Sequence, residues 1–575
     1  MPNDSRDYQP DAVTATLERV PASAEQPPAS GSGESLRWVH RGLTLAAVMG
    51  LVVNTRAFWN TYALTKPWLA LVLTGAFLVM LVAAVITLCA STSRTLRHLD
   101  IGVLTTAIVI KAVASWSGIS GAKKINIDEG MLMDKASSGL AAGHNPYLAH
   151  WTQIDPSLPT QLMDGRTVFD FGYPPFGIEM GALVHRLAPS LTAIVAVAWL
   201  ALFATAIFLF RVAPVPLRPV VTLGVLGLGT LTSYADNAYP SMIALPFLCV
   251  AVWKWPSTGR NGALGWAGVV RAVALGLACS IHQLGWFLAV FLLVGLLLLR
   301  LGDLPGRAAW GVVIRYTAVA AATFLLTSGP FIVASPRAWL TGVLEPIRQH
   351  AVPHGQGIIT LSYYVTGGSG ALDWYGRASI VLFVTLLALY ALRFRTLGRA
   401  AVVLPWLLFW VSTRSQDGYW VLTIPLWIAG LVATRREDFA NAYELRVPPL
   451  LRSRPAMIAL FLPALACVGI AAVTPPPLTM QVNTAPARSA TVTTLSVEVT
   501  NRSGAAVEPH FAVTTGVDIT EFWRATAGPA QIPAGESATY TLTPPEKWKM
   551  PATGPVILRA VSDRPQTLSS LRLAG

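Results

Sequence analysis

Charge is what this sequence has least of. Only 12% of its 575 residues are Asp, Glu, Lys or Arg, about half the share of an ordinary soluble chain, which excludes a water-soluble multidomain enzyme. Cysteine is nearly absent too. Cys89, Cys249, Cys279 and Cys467 all fall inside apolar runs, at spacings that fit neither a zinc site nor a thiol-redox pair, so they read as small buried hydrophobes. There is no internal repeat, no heptad pattern and no group of residues with metal-ligand spacing, so neither a metal nor a cofactor is expected. Acids are scarcer than bases, 29 against 42, for a formal net charge of +13. The arginines stand at the ends of apolar segments rather than on one soluble face. The excess therefore marks membrane topology, not a nucleic-acid partner.

What the chain does have is apolar length: 53% of its residues are hydrophobic. Runs near 38–55, 67–90, 101–121, 191–210, 219–233, 241–255, 316–334, 376–394, 400–413, 419–434 and 455–473 approach the roughly 20 residues of a spanning helix. The stretch 272–299 is basic at both ends and, at about 42 Å as one helix, too long for one span. It is expected as a hairpin of two short helices turning at Ser280-Ile281-His282-Gln283. The total is about 13 spans, and Arg37, Arg41, Arg94 and Arg97 put the N-terminus inside and the C-terminus outside. Residues 1–36 carry no apolar period and read as a disordered cytoplasmic tail, ahead of a membrane domain over 37–475. Phe176–Leu187, with Glu179, His185 and Arg186, is expected to lie along the interface. Over 478–575, short alternating strands such as Leu495, Val497 and Val499 stand between Gly, Pro and Asn breaks. They predict a small extracytoplasmic β-sandwich, accessory in role and placed to orient an acceptor, so that truncation after Thr474 is expected to spare transfer to a short soluble acceptor.

The polar stretch from Lys123 to Pro175 interrupts the apolar runs and organises the functional reading. Asp128 and Glu129 arrive directly behind the third run, and carboxylates so close to a bilayer are costly unless they face water or a cavity. The bland alternative is a solvated pair, or a counter-charge for Lys123 and Lys124. Gly143-His144-Asn145-Pro146-Tyr147 reads first as the stop of a short helix over 131–141; the functional reading sets His144, Asn145 and Tyr147 at a site entrance. Phe169-Asp170-Phe171-Gly172-Tyr173-Pro174-Pro175 has the aromatics of a membrane-boundary belt, with Asp170 as a secondary acid. His282-Gln283 sits at the hairpin turn; a lone histidine in an apolar setting is more often satisfied by a neighbouring carbonyl, yet a broken membrane helix lines a cavity. Arg337, Arg348, His350 and His354, with Gln356, make the 335–375 loop cationic, either by snorkelling to lipid phosphates or by holding a ligand phosphate. Arg414, in the short turn before Tyr419-Trp420, has little freedom to snorkel and reads as a ligand contact.

Taken in order, these motifs resemble the GT-C superfamily of membrane glycosyltransferases, most closely its family 87 of polyprenyl-phosphate-sugar mannosyltransferases. That family carries an acid after an early span, then Gly-x-x-Pro-Tyr and Tyr-Pro-Pro. Here Asp128, Gly143-Pro146-Tyr147 and Tyr173-Pro174-Pro175 follow in that order. The likeness covers about 100–435. The chain departs from the family pattern in having His282 where lysine is usual, and in carrying two extra spans in front. The resemblance implies an inverting transferase that takes a polyprenyl-phosphate-linked sugar in the outer leaflet to a glycan or glycolipid acceptor, among membrane lipids. It implies Asp128 as general base, with Glu129 as the alternative and Asp170 behind it. The phosphate cradle would come from Arg414, His282, Gln283, Arg337 and Arg348, and the lining from His144, Asn145, Tyr147, Tyr173, His354 and Gln356. Two rivals stay open. A ligase or polymerase using diphosphate-linked donors would make the Arg/His loop central, and a transporter would place ionisable groups within its spans.

Overall fold

The computed structural model describes residues 31–151, 160–516 and 518–574. It is a multi-pass helical membrane protein with a separate strand-rich C-terminal region. The chain opens with α1 (Gly31–Tyr62), α2 (Pro67–Cys89) and α3 (Ser93–Ile119). Of the tail expected over 1–36, residues 1–30 lie outside the described residues, and 31–36 already belong to α1. Every apolar run read from the sequence is helical. Among the described residues, eight helices are long and apolar enough to cross a membrane. Two more runs are bent pairs, Val215–Gly227 with Gly229–Asp236 at 46° and Phe394–Val402 with Leu404–Val411 at 71°. Three are shorter helices, Pro240–Val252, Gly265–Cys279 and Gly418–Ala433. The surface explains the composition. Helix α2 has a mean hydropathy of 2.8 and leaves Leu71, Leu78, Leu81 and Val85 exposed; a helix apolar on all sides is solvated by lipid, not water.

The expected hairpin is present as Gly265–Cys279 and Leu284–Asp303, broken at 280–283. At the other end of the bundle, buried arginines satisfy carbonyls that helix ends leave open. Arg271 donates to the Trp253 carbonyl at 2.6 Å, and Arg300 to those of Pro256 and Thr258 at 3.0 Å. Inside the first three helices, His40 of α1 meets Asp100 of α3 at 2.6 Å, with Thr44 donating to the same carboxylate at 2.9 Å. Lys111 of α3 is buried over the Phe58 ring. These intramembrane charges were not singled out in the sequence, because each stands alone in an apolar run.

Two short helices follow α3: α4 (Asp128–Ala141) and α5 (Phe176–Leu187), which pack on each other and on α6 (Ala193–Val212). Helix α4 starts three residues before the expected 131, which places both acids in its first turn. In the later polar loops, β1 (His354–Gly355) and β3 (Arg414–Ser415) pair in parallel. Between them in sequence, β2 (Gly368–Ser369) leaves for the C-terminal region.

That region holds β4 (Leu478–Val482), β5 (Thr491–Val492), β6 (Leu495–Asn501), β7 (His510–Thr515), β8 (Asp518–Ile519), β9 (Arg524–Ala527), β10 (Ser537–Thr543), β11 (Trp548–Lys549), β12 (Val556–Asp563) and β13 (Gln566–Ala574). One sheet runs β4-β6-β10-β9 and another β2-β13-β12-β7-β8, closing over a core that includes Val497, Val499, Phe511, Val513, Tyr540 and Leu558. The second sheet begins with a strand of the membrane domain. A Cβ on Gly368 would sit 2.1 Å from the Leu568 carbonyl oxygen, so only glycine permits that pairing. Met163, Val352, Ile359, Tyr363 and Leu372 share one apolar cluster with Val561 and Leu568. Buried Arg559 lies over the Tyr363 ring at 3.9 Å and donates to the Tyr363 carbonyl. These contacts make the region a support for the polar loops, and removing it would strip one of their faces.

Candidate functional site

The site is built where α3 leaves the bundle. Gly121 turns the chain with φ of 76°, and Lys123 reaches Asp236 at 2.7 Å, so this lysine is not the counter-charge of Asp128. The Asn126 amide donates to the Asn237 side-chain oxygen at 2.9 Å. A Cβ on Gly130 would stand 1.9 Å from the Asn237 carbonyl oxygen. Glycine therefore lets the first turn of α4 press against the 234–239 turn, and that fixes where Asp128 and Glu129 start.

Asp128 is oriented on both oxygens. Oδ1 accepts from the Glu129 amide at 2.8 Å, while Oδ2 accepts from the Thr160 amide at 3.1 Å and the Thr160 hydroxyl at 2.6 Å. The same hydroxyl accepts from Nη1 of Arg414 at 3.1 Å. Thr160 thus bridges acid and cation. Arg414 is set in place by the parallel pairing of His354 with Arg414 and Gly355 with Ser415, continued by the Gln356 amide donating to the Ser415 carbonyl at 2.7 Å. A Cβ on Gly355 would lie 2.2 Å from that carbonyl oxygen, and Gly355 has φ of 125°, so the approach requires glycine. The Nε of Arg414 and the hydroxyl of Ser415 are shielded from solvent without a hydrogen-bond partner among the described residues. Buried donors are normally paired, and an arginine with a donor to spare is suited to an anion.

Glu129 is part-buried beside the Tyr173 side chain. Its carboxyl is pushed up to about 8, chiefly by loss of solvent and then by the Asp128 charge, against the pull of Arg414 and Tyr173. Around it stand Tyr234 and Tyr239, with ring centroids 4.7 Å apart, and Tyr419, stacked on Phe409 at 4.4 Å. Tyr173 is held from below by Tyr147, whose hydroxyl donates to the Tyr173 carbonyl at 2.7 Å.

The other sequence candidates divide. His282 packs near Tyr173 with ring centroids 5.4 Å apart, its Nδ1 accepting from the Leu284 amide at 3.0 Å. Burial holds the imidazole well below its ordinary pKa, so it is neutral and offers no charge to a phosphate. Gln283 donates to the carbonyls of Gly172 and Val343, both at 2.7 Å; it staples the hairpin turn to the loops, which uses the donors a phosphate would need. Arg337 and Arg348 lie exposed at opposite ends of the helix Pro336–Arg348, without a hydrogen bond or ion pair to the Asp128 cluster among the described residues. His350 is bonded to Asp563 of the strand region at 2.5 Å. Asp170 pairs with His150 at 2.7 Å, both 60% exposed, an arrangement worth little energy and set apart from Asp128. His144 is exposed, and Asn145 caps the Tyr147 amide at 3.1 Å, so the helix-stop reading describes both. His354 and Gln356 flank Arg414 through their backbones.

Sequence reasoning missed Thr160, and nothing in Leu158-Pro159-Thr160 marks it. Tyr234 and Tyr239 had a signal, since they bracket a polar turn between two apolar runs. No family model, no curated protein and no solved structure matches this chain. The site itself is a carboxylate pair, one oriented and one partly neutralised, facing an arginine with a donor unclaimed among the described residues, in a wall of tyrosines.

Proposed function

We propose that the protein is an inverting glycosyltransferase of the GT-C type, with about 13 spans, that uses a sugar carried on a polyprenyl phosphate. It works at the outer face of the cell membrane on a glycan or glycolipid acceptor. The observation that carries this reading is the meeting of Asp128 and Arg414 on the Thr160 hydroxyl, with Nε of Arg414 unpaired among the described residues. Such a site needs a base on one side of a sugar and a cation on the other. Asp128 takes the proton of an acceptor hydroxyl. The acceptor oxygen attacks the anomeric carbon from the face opposite the phosphate, and the bond from that carbon to the phosphate oxygen breaks, which inverts the centre. The bonding electrons leave with the polyprenyl phosphate, whose charge Arg414 holds without rearrangement. Glu129, protonated below about pH 8, adds no second charge to repel the donor. The outer-face assignment follows from the basic residues at the end of the bundle away from the site.

The test is transfer of labelled mannose from purified polyprenyl-phosphate-mannose to a mannan oligosaccharide by the full-length protein in lipid nanodiscs. Transfer abolished by Asp128→Asn supports the reading. Transfer only from a diphosphate-linked donor, indifferent to Asp128→Asn, would move the protein to the ligase or polymerase class.

A further inference from the structure

A cavity of about 500 Å3 opens at the basic end of the bundle, away from the Asp128 site. It lies between the C-terminal end of the spanning helix Asp373–Leu392 and the start of the last span, Arg454–Val473. Arg393 and Arg454 stand at its mouth, and Leu389, Met457, Ile458 and Phe461 line its interior, with no acidic residue in the wall. We propose that this cavity binds an anionic phospholipid, its phosphate between the two arginines and its acyl chains along the apolar wall.

Three observations carry this. Arg454 occupies the first position of the helix Arg454–Ala459, where the helix dipole disfavours a cation, and it has no ion pair among the described residues. Neighbouring Arg395, by contrast, is neutralised by Glu444 at 2.9 Å. Folding gains nothing from an unpaired cation at a helix start, whereas an anion beside the guanidinium would pair it. Secondly, Nε of Arg393 contacts the Met457 sulfur at 2.9 Å, so the guanidinium is held across the gap beside Arg454 rather than released to water. Thirdly, the lining is apolar below the arginines and opens towards lipid: Ile458 is 68% exposed and Leu462, one turn on, 58%. A soluble anion would need no such floor, and a neutral lipid would need no arginines. The ligand class that satisfies both halves is a phospholipid without a compensating ammonium.

Native mass spectrometry of the full chain, titrated with phosphatidylglycerol or phosphatidylcholine, tests the assignment. The expected result is a phosphatidylglycerol adduct at least roughly tenfold tighter than phosphatidylcholine, reduced to the phosphatidylcholine level in Arg393→Gln/Arg454→Gln and retained in the control Arg436→Gln. Equal binding of the two lipids by the wild type, or undiminished phosphatidylglycerol binding by the double variant, overturns it. Thermal melting with inorganic phosphate is the second arm. Stabilisation equal to that given by phosphatidylglycerol would assign the cavity to a soluble anion instead. Melting of the lipid-free double variant at the wild-type temperature establishes that loss of binding is not loss of fold.

Discussion

Thr160→Val isolates the bridge on which the proposed chemistry depends. Valine keeps the shape of threonine and the backbone amide that donates to Asp128 at 3.1 Å, but deletes the hydroxyl that donates at 2.6 Å and accepts from Arg414 at 3.1 Å. A hydrogen bond to a charged group contributes about 1.5–3 kcal/mol. If that energy holds Asp128 in its reacting position, each 1.4 kcal/mol lost is roughly a factor of ten in rate, so kcat falls about ten- to a hundredfold. Asp128→Asn removes the base and should cost more, about a hundred- to ten-thousandfold. KM for the donor should change little in Thr160→Val, since Arg414 keeps its charge and gains a free donor. The assay is single-turnover sugar transfer in nanodiscs, with melting curves to show that both variants fold. Near-normal kcat in Thr160→Val beside a crippled Asp128→Asn would dismiss the bridge as a positioning device. Near-normal turnover in Asp128→Asn would dismiss the base, and Glu129 would inherit the role.

Glu129→Gln should leave transfer at neutral pH within about threefold, because a carboxyl at about 8 is roughly nine-tenths protonated at pH 7 and glutamine mimics that form; in the wild type alone the rate should fall as pH rises past about 8 and Glu129 ionises beside Asp128. The same shift has a stability signature of definite sign. The folded state holds this proton up to about 8 and the unfolded state only to its ordinary 4.5, so the wild type loses stability as pH rises through that window, and Glu129→Gln should melt above it at pH 9 but not at pH 4. Arg414→Ala should weaken donor use far more than His282→Ala, whose imidazole is neutral and packs on Tyr173; the reverse order in donor KM would make His282 the phosphate ligand. Arg559→Ala leaves the Tyr363 carbonyl without its donor, at a cost of about 1–3 kcal/mol, and should lower the melting temperature measurably. Truncation after Thr474 should abolish transfer; a truncated chain with full activity would show the strand region to be dispensable.

The helices were legible because lipid leaves a simple trace: apolar runs near spanning length, bounded by arginine. Even the break at Ser280–Gln283 could be read from a run too long for one span. The acids were legible for the opposite reason, since Asp128 and Glu129 are conspicuous so close to an apolar segment. The cations were legible in part. Arg414 read as a ligand contact from its short turn, while Arg337 and Arg348 stayed open between lipid and ligand; the pairing of β1 with β3 holds Arg414 at the acid and leaves the other two exposed on one helix. His282 read both ways from its apolar setting, and its burial lowers the imidazole pKa in the direction that setting suggests.

The strand region was legible as strands and illegible as a support. Alternation gives away a face, but not what that face rests upon. Here the support reaches towards the proposed site through a few contacts. The Gln161 side chain donates to the Thr520 carbonyl at 3.3 Å, and the Met163 amide donates to the carbonyl of His350, whose ring is tied to Asp563. Gln161 and Met163 frame the segment that begins at Thr160, and Thr160 orients Asp128. An acid at the end of a span would otherwise share the freedom of its loop, and a base that wanders by an ångström loses most of its rate advantage. Stiffness at Asp128 is thus assembled from a glycine contact at Gly130, a threonine far along the chain and a sheet beyond the last span. None of the three carries a motif, because what each supplies is contact, and contact belongs to the fold.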